Sequence, residues 1–150
     1  MALVGVVMGS KNDASLMQPA LEALEKLGIL YEVRVLSAHR QPEKVREYAQ
    51  SAAGRGLEVL IAGAGMAAHL PGVLAGWTPL PVIGVPLASG ALQGIDALLS
   101  IVQMPPGVPV ACVGIGGARN AALLAAQMLG LKHEEIKQAF DAMRAEMAEG

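Results

Sequence analysis

The stretch "YEVRVLSAHRQPEKV" (31–45) contains, in order, a predicted strand, a polar loop and the start of a helix. Its first part, "YEVRVL", has the pattern of a strand. Pro42 and Glu43 favour the first turn of a helix, because proline there lacks only a donor that the helix could not use. The helical pattern continues to Ala52. This stretch therefore predicts a β-loop-α unit with polar side chains in its loop.

The same alternation extends along the whole chain. The predicted strands are the short apolar runs 2–8, 31–36, 57–62, 81–86 and 108–114. Several are continuously apolar, which is typical of strands covered on both faces. Amphipathic segments separate them, such as 14–27, in which Leu16, Leu24 and Leu27 share one helical face. The pattern predicts an α/β fold, a three-layer doubly wound parallel sheet of flavodoxin-like type with right-handed crossovers.

Length and composition indicate a single domain, 1–150, with a substantial core. Hydrophobic residues make up 53% of the chain, charged residues 16%, and the mean hydropathy is +0.47. A chain this apolar is expected to hide some of its surface in an oligomer. No apolar run approaches the roughly 18 residues of a membrane span. The first residues, "MALVGVVMGS", predict a core strand and not a signal peptide, so we expect a cytoplasmic protein.

Charge and aromatic content argue against nucleic acid as a partner. The net charge is −2 and aromatic residues make up 3% of the chain. The chain therefore offers no basic face to bind phosphates and few aromatic rings on which bases could stack. The single Cys112 lies in an apolar run, which favours a buried, inert thiol over a nucleophile.

The C-terminal segment 133–149 is predicted to be a helix outside the core segment 2–130. Its apolar residues recur at steps of four, three and four, and they are Ile136, Phe140, Met143 and Met147. Such a stripe either closes over its own domain or docks on a neighbouring subunit, and the pattern alone leaves both open.

Ligands of open α/β sheets bind beyond the carboxyl ends of the strands. Polar and glycine-rich residues concentrate in the loops that follow four of the predicted strands: "GSKND" (9–13), "SAHRQP" (37–42), "GAGMAAHLPG" (63–72) and "LASGALQG" (87–94). The elements between these loops carry little polar chemistry. We therefore expect one site at this edge of the sheet.

Four polar side chains in the first two loops indicate a phosphorylated sugar or nucleotide. Ser10, Ser37 and Arg40 could hold phosphate oxygens through hydroxyl groups and a forked, charged donor. Asp13 could accept from sugar hydroxyls. Each also has a structural interpretation: Ser10 as a turn residue, Asp13 as the N-cap of 14–27, Arg40 as a solvated charge. Together the four favour the ligand.

His39 and His69 are the candidates for proton transfer. Each precedes a predicted helix, whose positive end favours a neutral imidazole able to exchange a proton near neutral pH. For His69 a structural hydrogen bond at the helix start stays an open alternative. No cysteine or carboxylate is spaced to complete a metal site with them.

The segment "GAGMAA" (63–68) matches the dinucleotide pattern G-x-G-x-x-A. It follows the third strand and not the first, and the acidic residue expected about 20 positions later is missing, so a nicotinamide cofactor is not expected. The chain also lacks the phosphate loop of ATP-binding proteins and the G-x-S-x-G turn of acyl-transfer enzymes.

Taken together, these loops resemble one family. The matching segments are "MGSKND", "VLSAHRQP", "AGAGMAAHLPG", "LPVIGVP", "DALLSIVQMPPGVPVACVGIG" and "NAALLAAQML", which span residues 4–130. They are similar to the class I N5-carboxyaminoimidazole ribonucleotide mutases of purine biosynthesis, related to the catalytic subunit of phosphoribosylaminoimidazole carboxylase. The resemblance implies conversion of N5-carboxyaminoimidazole ribonucleotide to 4-carboxy-5-aminoimidazole ribonucleotide, by decarboxylation and recarboxylation at carbon 4, without metal, ATP or biotin.

The resemblance also implies a role for each candidate residue. His39 would relay the proton; Ser10, Ser37 and Arg40 would bind phosphate, and Asp13 the ribose. The wall around the migrating carboxylate would be formed by Ala64, Gly65, His69 and Leu70. The family forms octamers in which neighbouring subunits complete each site, and "QMPPG" and the tail helix are similar to the parts that do so. This favours the docking interpretation of the helix 133–149.

Some positions depart from the family pattern. Met66 stands where glycine is usual, Gln41 replaces threonine, Asn12 replaces serine, and "IGGARN" is shorter than the matching segment. The alternatives are a carboxylase that uses CO₂ directly, whose family carries Lys at the position of Arg40, and a nucleotide-binding module without catalysis. A protein with a purely structural role in an oligomer would need none of the site residues.

Overall fold

The computed structural model describes residues 1–150 as a parallel sheet between two layers of helices. The five strands are β1 Val4–Met8, β2 Tyr31–Val35, β3 Val59–Gly65, β4 Val82–Leu87 and β5 Ala111–Cys112. The six α-helices are α1 Ala14–Lys26, α2 Pro42–Ala52, α3 Leu70–Trp77, α4 Ile95–Val102, α5 Ala118–Gly130 and α6 Glu134–Ala148. Short 3₁₀ turns at Lys11–Asp13 and Ala53–Arg55 precede α1 and follow α2.

The strand order is β2-β1-β3-β4-β5, and every neighbouring pair is parallel. The chain moves outward from β1 to β2, returns to the other side of β1 at β3, and then continues outward. The order therefore reverses between β1 and β3, the switch point at which doubly wound sheets bind ligands. The predicted fold class is confirmed.

Two hydrophobic cores cover the faces of the sheet. The first joins side chains such as Val6 and Ile61 to α1, α5 and α6. The second joins Val7, Leu60 and neighbouring residues to α2, α3 and α4. Because successive residues of a strand point to opposite faces, the continuously apolar β1, β3 and β4 supply both cores at once. None of the helices combines the length and the apolarity needed to cross a membrane.

All five strands are found, with bounds that differ from the expected runs by one or two residues in β1, β2 and β4 and by more in β3 and β5. The run 108–114 yields only Ala111–Cys112, which pair with Ile83 and Gly84 at the sheet edge. Pro109 lacks an N–H group and Gly114 weakens a strand, so pairing does not extend further. By contrast, β3 continues three residues beyond the predicted end, because Gly63, Ala64 and Gly65 pair with β4.

The C-terminal helix packs on its own domain. Ile136, Phe140 and Met143 are buried in the core shared with α1 and α5, whereas Met147 is exposed. These three side chains close over their own domain, which is one of the two interpretations of the stripe, and docking of the helix on a neighbouring subunit stays a prediction. The physical reason for their burial is that α5 presents small alanine side chains, such as Ala122, against which large residues of α6 can pack closely.

An ionic cluster fixes the beginning of α6. Lys132 Nζ lies 2.7 Å from Glu58 Oε1, and His133 Nε2 lies 2.9 Å from Glu58 Oε2. The hydrogen bond from Lys132 lowers the pKa of the Glu58 carboxyl, and His133 acts in the same direction. His133, which its sequence position suggests to be an exposed helix start, is therefore half-buried and bonded to the segment before β3.

Helix α2 packs on a glycine of β1. Tyr48 is buried over Gly5, and the guanidinium of Arg55 lies 5.1 Å from the centre of the Tyr48 ring. Arg55 Nη1 donates to both carboxylate oxygens of Glu32 at 2.9 and 3.0 Å. A side chain at Gly5 would therefore meet a tyrosine that its neighbours hold in place.

Gly5→Ala should destabilise the fold. The added Cβ would overlap the Tyr48 hydroxyl and lie 2.8 Å from Leu60 Cδ2, and such overpacking costs about 1–3 kcal/mol. The free energy of unfolding in urea measures the effect. Gly76→Ala in α3 is the control, because nothing lies within 4 Å of a Cβ there and alanine favours a helix interior. Equal stabilities of the two variants would contradict this prediction.

Candidate active site

A cleft of about 470 Å³ lies at the carboxyl edge of the sheet, beside the switch point between β1 and β3. It is formed by the loops that follow β1, β2, β3 and β4. Every residue singled out from the sequence as a site candidate lines it: Ser10, Asp13, Ser37, His39, Arg40, Ala64, Gly65, His69 and Leu70. The cleft walls also include Gly9, Ala38, Met66, Ala67 and Ser89.

The loop after β1 supplies Ser10 and Asp13. The Ser10 hydroxyl caps the short 3₁₀ turn by accepting from the Asn12 N–H at 3.2 Å. Asp13 occupies the N-cap position of α1, but its side chain makes no capping hydrogen bond. Burial raises the pKa of the Asp13 carboxyl, and a hydrogen bond with the Ser10 backbone opposes that shift. The capping interpretation of Asp13 is therefore not supported, and its carboxyl group is available to the cleft.

The loop after β2 holds Arg40 by hydrogen bonds to Ser37. The Ser37 hydroxyl accepts from the Arg40 backbone N–H at 3.2 Å and from Arg40 Nε at 3.3 Å. The Ser37 N–H donates to Gln41 Oε1 at 3.2 Å. Gln41, one of the departures from the family pattern, thus closes this loop. Arg40 forms no ion pair within the chain, so its two terminal nitrogens remain available to a ligand.

A second depression continues the cleft toward α2. It has a volume of about 530 Å³, shares Gly9, Ser10, Ser37 and Arg40 with the cleft, and adds Lys11 among its lining residues. Two cationic side chains, two hydroxyls and the backbone of a glycine therefore surround one concave region. This combination suits an anion that bears several oxygen acceptors.

His39 and His69 contact each other across the cleft. A hydrogen bond joins His39 Nε2 to His69 Nδ1, and the two rings meet edge to face, with centroids 4.6 Å apart and planes at 72°. One nitrogen must donate and the other accept, so the bond requires at least one neutral imidazole. The alternative in which His69 caps α3 is not observed, because its side chain makes no cap hydrogen bond.

The loop after β3 contains two strained residues. Met66 and Ala68 have φ angles of +54° and +23°, in the region that favours glycine. A left-handed residue other than glycine costs roughly 1–2 kcal/mol. Met66 is tolerated because its side chain extends outward, 57% exposed, beside Gly90. The departure at position 66 therefore leaves the loop intact and adds a thioether to the cleft rim.

The pattern "GAGMAA" (63–68) does not form a dinucleotide-binding turn. Residues 63–65 belong to β3, so their backbone groups take part in the sheet. The helix that follows begins only at Leu70. The nicotinamide interpretation, already disfavoured by the sequence, lacks the strand-turn-helix geometry that it needs.

Comparison with known proteins identifies the family of the chain. The family model described as AIR carboxylase matches residues 3–150. The chain belongs to the AIR carboxylase family. A protein named N5-carboxyaminoimidazole ribonucleotide mutase from Pyrococcus abyssi is 58% identical over 147 residues, which cover 98% of this chain and 84% of the relative. A relative of the same name from Pseudomonas aeruginosa is 59% identical over 150 residues, which cover 99% of this chain and 92% of the relative.

A solved structure has the same fold as this chain. The crystal structure of Treponema denticola PurE superposes with a TM-score of 0.88 at 30% identity, over 99% of this chain and 93% of that one. The family resemblance of the sequence motifs is confirmed, and the solved structure agrees with the fold class predicted from the pattern of strands and helices.

Two features of the site were missed by sequence reasoning. Ser89 lines the cleft, and the signal that points to it is that its loop follows a predicted strand and so reaches the same edge of the sheet. The contact between His39 and His69 could not be foreseen, because the two residues are 30 positions apart and their approach depends on tertiary packing.

The Asp13→Asn variant should have a free energy of unfolding at pH 7 that equals or exceeds that of the wild type. The folded state binds the Asp13 proton more tightly than the unfolded chain does, because burial raises the pKa of the carboxyl. Its ionisation therefore opposes folding above that pKa, and asparagine removes this penalty. Urea unfolding at pH 7 and pH 4 tests the prediction, and the variant should lose less stability than the wild type as the pH rises.

Asp96→Asn is the control for this variant. Asp96 lies in the first turn of α4, outside the cleft, where its carboxylate accepts from the Ala97 N–H at 3.0 Å and favours the helix N-terminus. The Asp96→Asn variant should have a lower free energy of unfolding than the wild type at pH 7. A loss of more than about 1 kcal/mol in Asp13→Asn would restore the capping role for Asp13.

Proposed function

We propose that this protein is an N5-carboxyaminoimidazole ribonucleotide mutase, an isomerase of purine biosynthesis. It converts its substrate to 4-carboxy-5-aminoimidazole ribonucleotide. The observation that carries the proposal is the pair His39–His69, in contact at one end of a cleft whose other end is rich in anion-binding groups. The names of the relatives, at 58% and 59% identity over nearly the whole chain, point to the same reaction.

The 5′-phosphate of the nucleotide is proposed to bind between the loops after β1 and β2. Ser10, Ser37 and Arg40 line both the cleft and its continuation toward Lys11. Arg40 is suited to this role because Ser37 holds its backbone and Nε, which leaves the terminal nitrogens to form a fork for two phosphate oxygens. Asp13, whose carboxyl has no capping partner, is proposed to accept from the ribose hydroxyls.

The migrating carboxyl group is proposed to lie against the loop after β3. Ala64, Gly65 and Leu70 give this wall a largely apolar surface. A carboxylate that is removed from water loses CO₂ more readily, and an enclosed wall hinders the escape of CO₂ before it reacts again. The small residues of "GAG" also allow a ligand to approach the backbone closely.

His39 is proposed to move one proton between two substrate atoms. When the bond from the exocyclic nitrogen to the carboxyl carbon breaks, its electron pair remains on nitrogen, which takes a proton as CO₂ is released. Carbon 4 then attacks CO₂ and afterwards loses its own proton. The proton gained by nitrogen balances the proton lost by carbon 4, so one histidine serves both steps without net change.

His69 is proposed to position His39. The hydrogen bond between His39 Nε2 and His69 Nδ1 restrains the orientation of the catalytic ring. It also links the loop after β2 to the loop after β3. No metal or organic cofactor enters any of these steps.

The protein is further proposed to act as a homo-octamer with sites shared between subunits. An apolar face of α4 supports assembly: Ile95, Leu99 and Val102 recur at steps of four and three and are 55%, 54% and 47% exposed. Ala97 and Ile101 bury the opposite side of the same helix. Apolar surface of this kind, next to the exposed loop 103–107, suits a second copy of the chain. The oligomerisation role of 133–149 and the cytoplasmic location stay predictions.

His39→Asn should strongly slow carboxyl transfer. The purified protein is supplied with N5-carboxyaminoimidazole ribonucleotide, without ATP or added bicarbonate, and the ring-carboxylated product is followed. Wild type should convert it rapidly, whereas asparagine cannot exchange the proton and should lower kcat by about 100-fold or more. His133→Asn, far from the cleft on the Glu58 cluster, is the control and should retain kcat. An activity of His39→Asn within a few-fold of wild type would remove its proposed role.

A parallel reaction separates the alternatives. Aminoimidazole ribonucleotide with bicarbonate should be used slowly by a mutase and rapidly by a carboxylase that takes CO₂ directly. If only the second substrate is used, the protein is such a carboxylase. If neither reacts but the nucleotide binds, it is a binding module.

Leu99→Asp should shift the protein toward smaller species. A carboxylate in the middle of the α4 face would have to be desolvated in an interface, which is unfavourable without a partner. Light scattering coupled to size-exclusion chromatography measures the mass. Leu131→Asp is the matched control, because Leu131 is an exposed leucine between α5 and α6 and not on the α4 face. An unchanged mass for Leu99→Asp would show that α4 takes no part in assembly.

A further inference from the structure

Ser89 lies where the loop after β4 enters the cleft. The register of the sheet pairs Gly65 of β3 with Leu87 of β4, two residues before Ser89. Because parallel strands end at the same edge, Ser89 therefore stands beside the loop that begins at Met66. It is on the side of the cleft away from Ser10, Ser37 and the proposed phosphate region.

Gly65 leaves room for the Ser89 side chain. A Cβ at Gly65 would lie 3.1 Å from Ser89 Oγ and 3.3 Å from Ser89 Cβ. The serine thus packs over the open face of a glycine that forms the wall proposed for the migrating carboxylate. Any larger residue at 65 would push the hydroxyl away from this wall.

The hydroxyl of Ser89 differs from the other two serine hydroxyls of the cleft. Ser10 Oγ accepts from Asn12, and Ser37 Oγ accepts from Arg40. Ser89 is half-buried, and no side-chain hydrogen bond engages it within the chain. A half-buried hydroxyl without a protein partner, facing a cleft, is available to donate to a ligand.

We propose that Ser89 is a further substrate-binding residue, which donates a hydrogen bond to the carboxylate of the carboxylated nucleotides. The assignment rests on the proposed function, since the carboxylate is the group that distinguishes substrate and product from aminoimidazole ribonucleotide. With phosphate held by the loops after β1 and β2, the opposite end of the ligand reaches the loops after β3 and β4. A hydroxyl donor suits a carboxylate there, and hydrogen bonds to charged groups are the stronger kind.

The inference predicts a loss of affinity that depends on the ligand. Ser89→Ala removes only the hydroxyl and keeps the Cβ that packs near Gly65. The dissociation constant of 4-carboxy-5-aminoimidazole ribonucleotide, measured by calorimetry, should rise about 10-fold or more. The dissociation constant of aminoimidazole ribonucleotide, which lacks the carboxylate, should change by less than about 2-fold. In turnover, KM for the carboxylated substrate should rise more than kcat falls.

Ser100→Ala is the matched control, because the Ser100 hydroxyl donates to the Asp96 carbonyl oxygen in α4 and does not line the cleft. It should change neither dissociation constant. Thermal unfolding of both variants checks that the fold is retained.

The outcomes separate this inference from the proposed function. Equal affinity of wild type and Ser89→Ala for the carboxylated nucleotide would overturn the inference alone, and an equal loss for both nucleotides would also overturn it. If the wild type binds both nucleotides but does not convert the substrate, the proposed function fails while the binding comparison still decides the role of Ser89. If the wild type binds neither nucleotide, both proposals fail.

Discussion

The parallel pairing of β1 with both β2 and β3 is the constraint on which the site depends. Met8, the last residue of β1, is in register with Val35 on one side and with Gly63 on the other. The three loops that follow therefore begin at almost the same level. Ser10, Ser37 and the small residues of β3 come together without any long-range contact between polar side chains, and the contact of His39 with His69 is formed on a frame that the backbone already provides.

Burial of β3 on both faces allows strain in the loop that follows it. β3 is apolar along almost its whole length and pairs with β1 and β4, so the sheet holds the point from which the loop with Met66 and Ala68 begins. Strained residues persist where the surrounding structure holds them, and they cluster at ligand sites. Here the strain lies in the wall proposed to contact the migrating carboxylate, where the shape of the backbone matters most.

The sequence allowed the fold to be predicted because its main signals are local. Continuous apolar runs such as "VLIA" (59–62) have few alternatives to a strand covered on both faces. The loops could be gathered into one site because parallel topology fixes where they end. Other features depend on tertiary packing. The shortness of β5 follows from pairing at the sheet edge, and the burial of Ile136 and Phe140 follows from their packing with α1 and α5. Periodicity reveals that a stripe exists but not what covers it.

The position of α6 makes the burial of its apolar stripe an event within one chain. Because Ile136, Phe140 and Met143 complete the core of their own chain, no partner is needed to bury them. Burial of this stripe therefore does not depend on protein concentration, in contrast to an apolar face that only a second subunit covers.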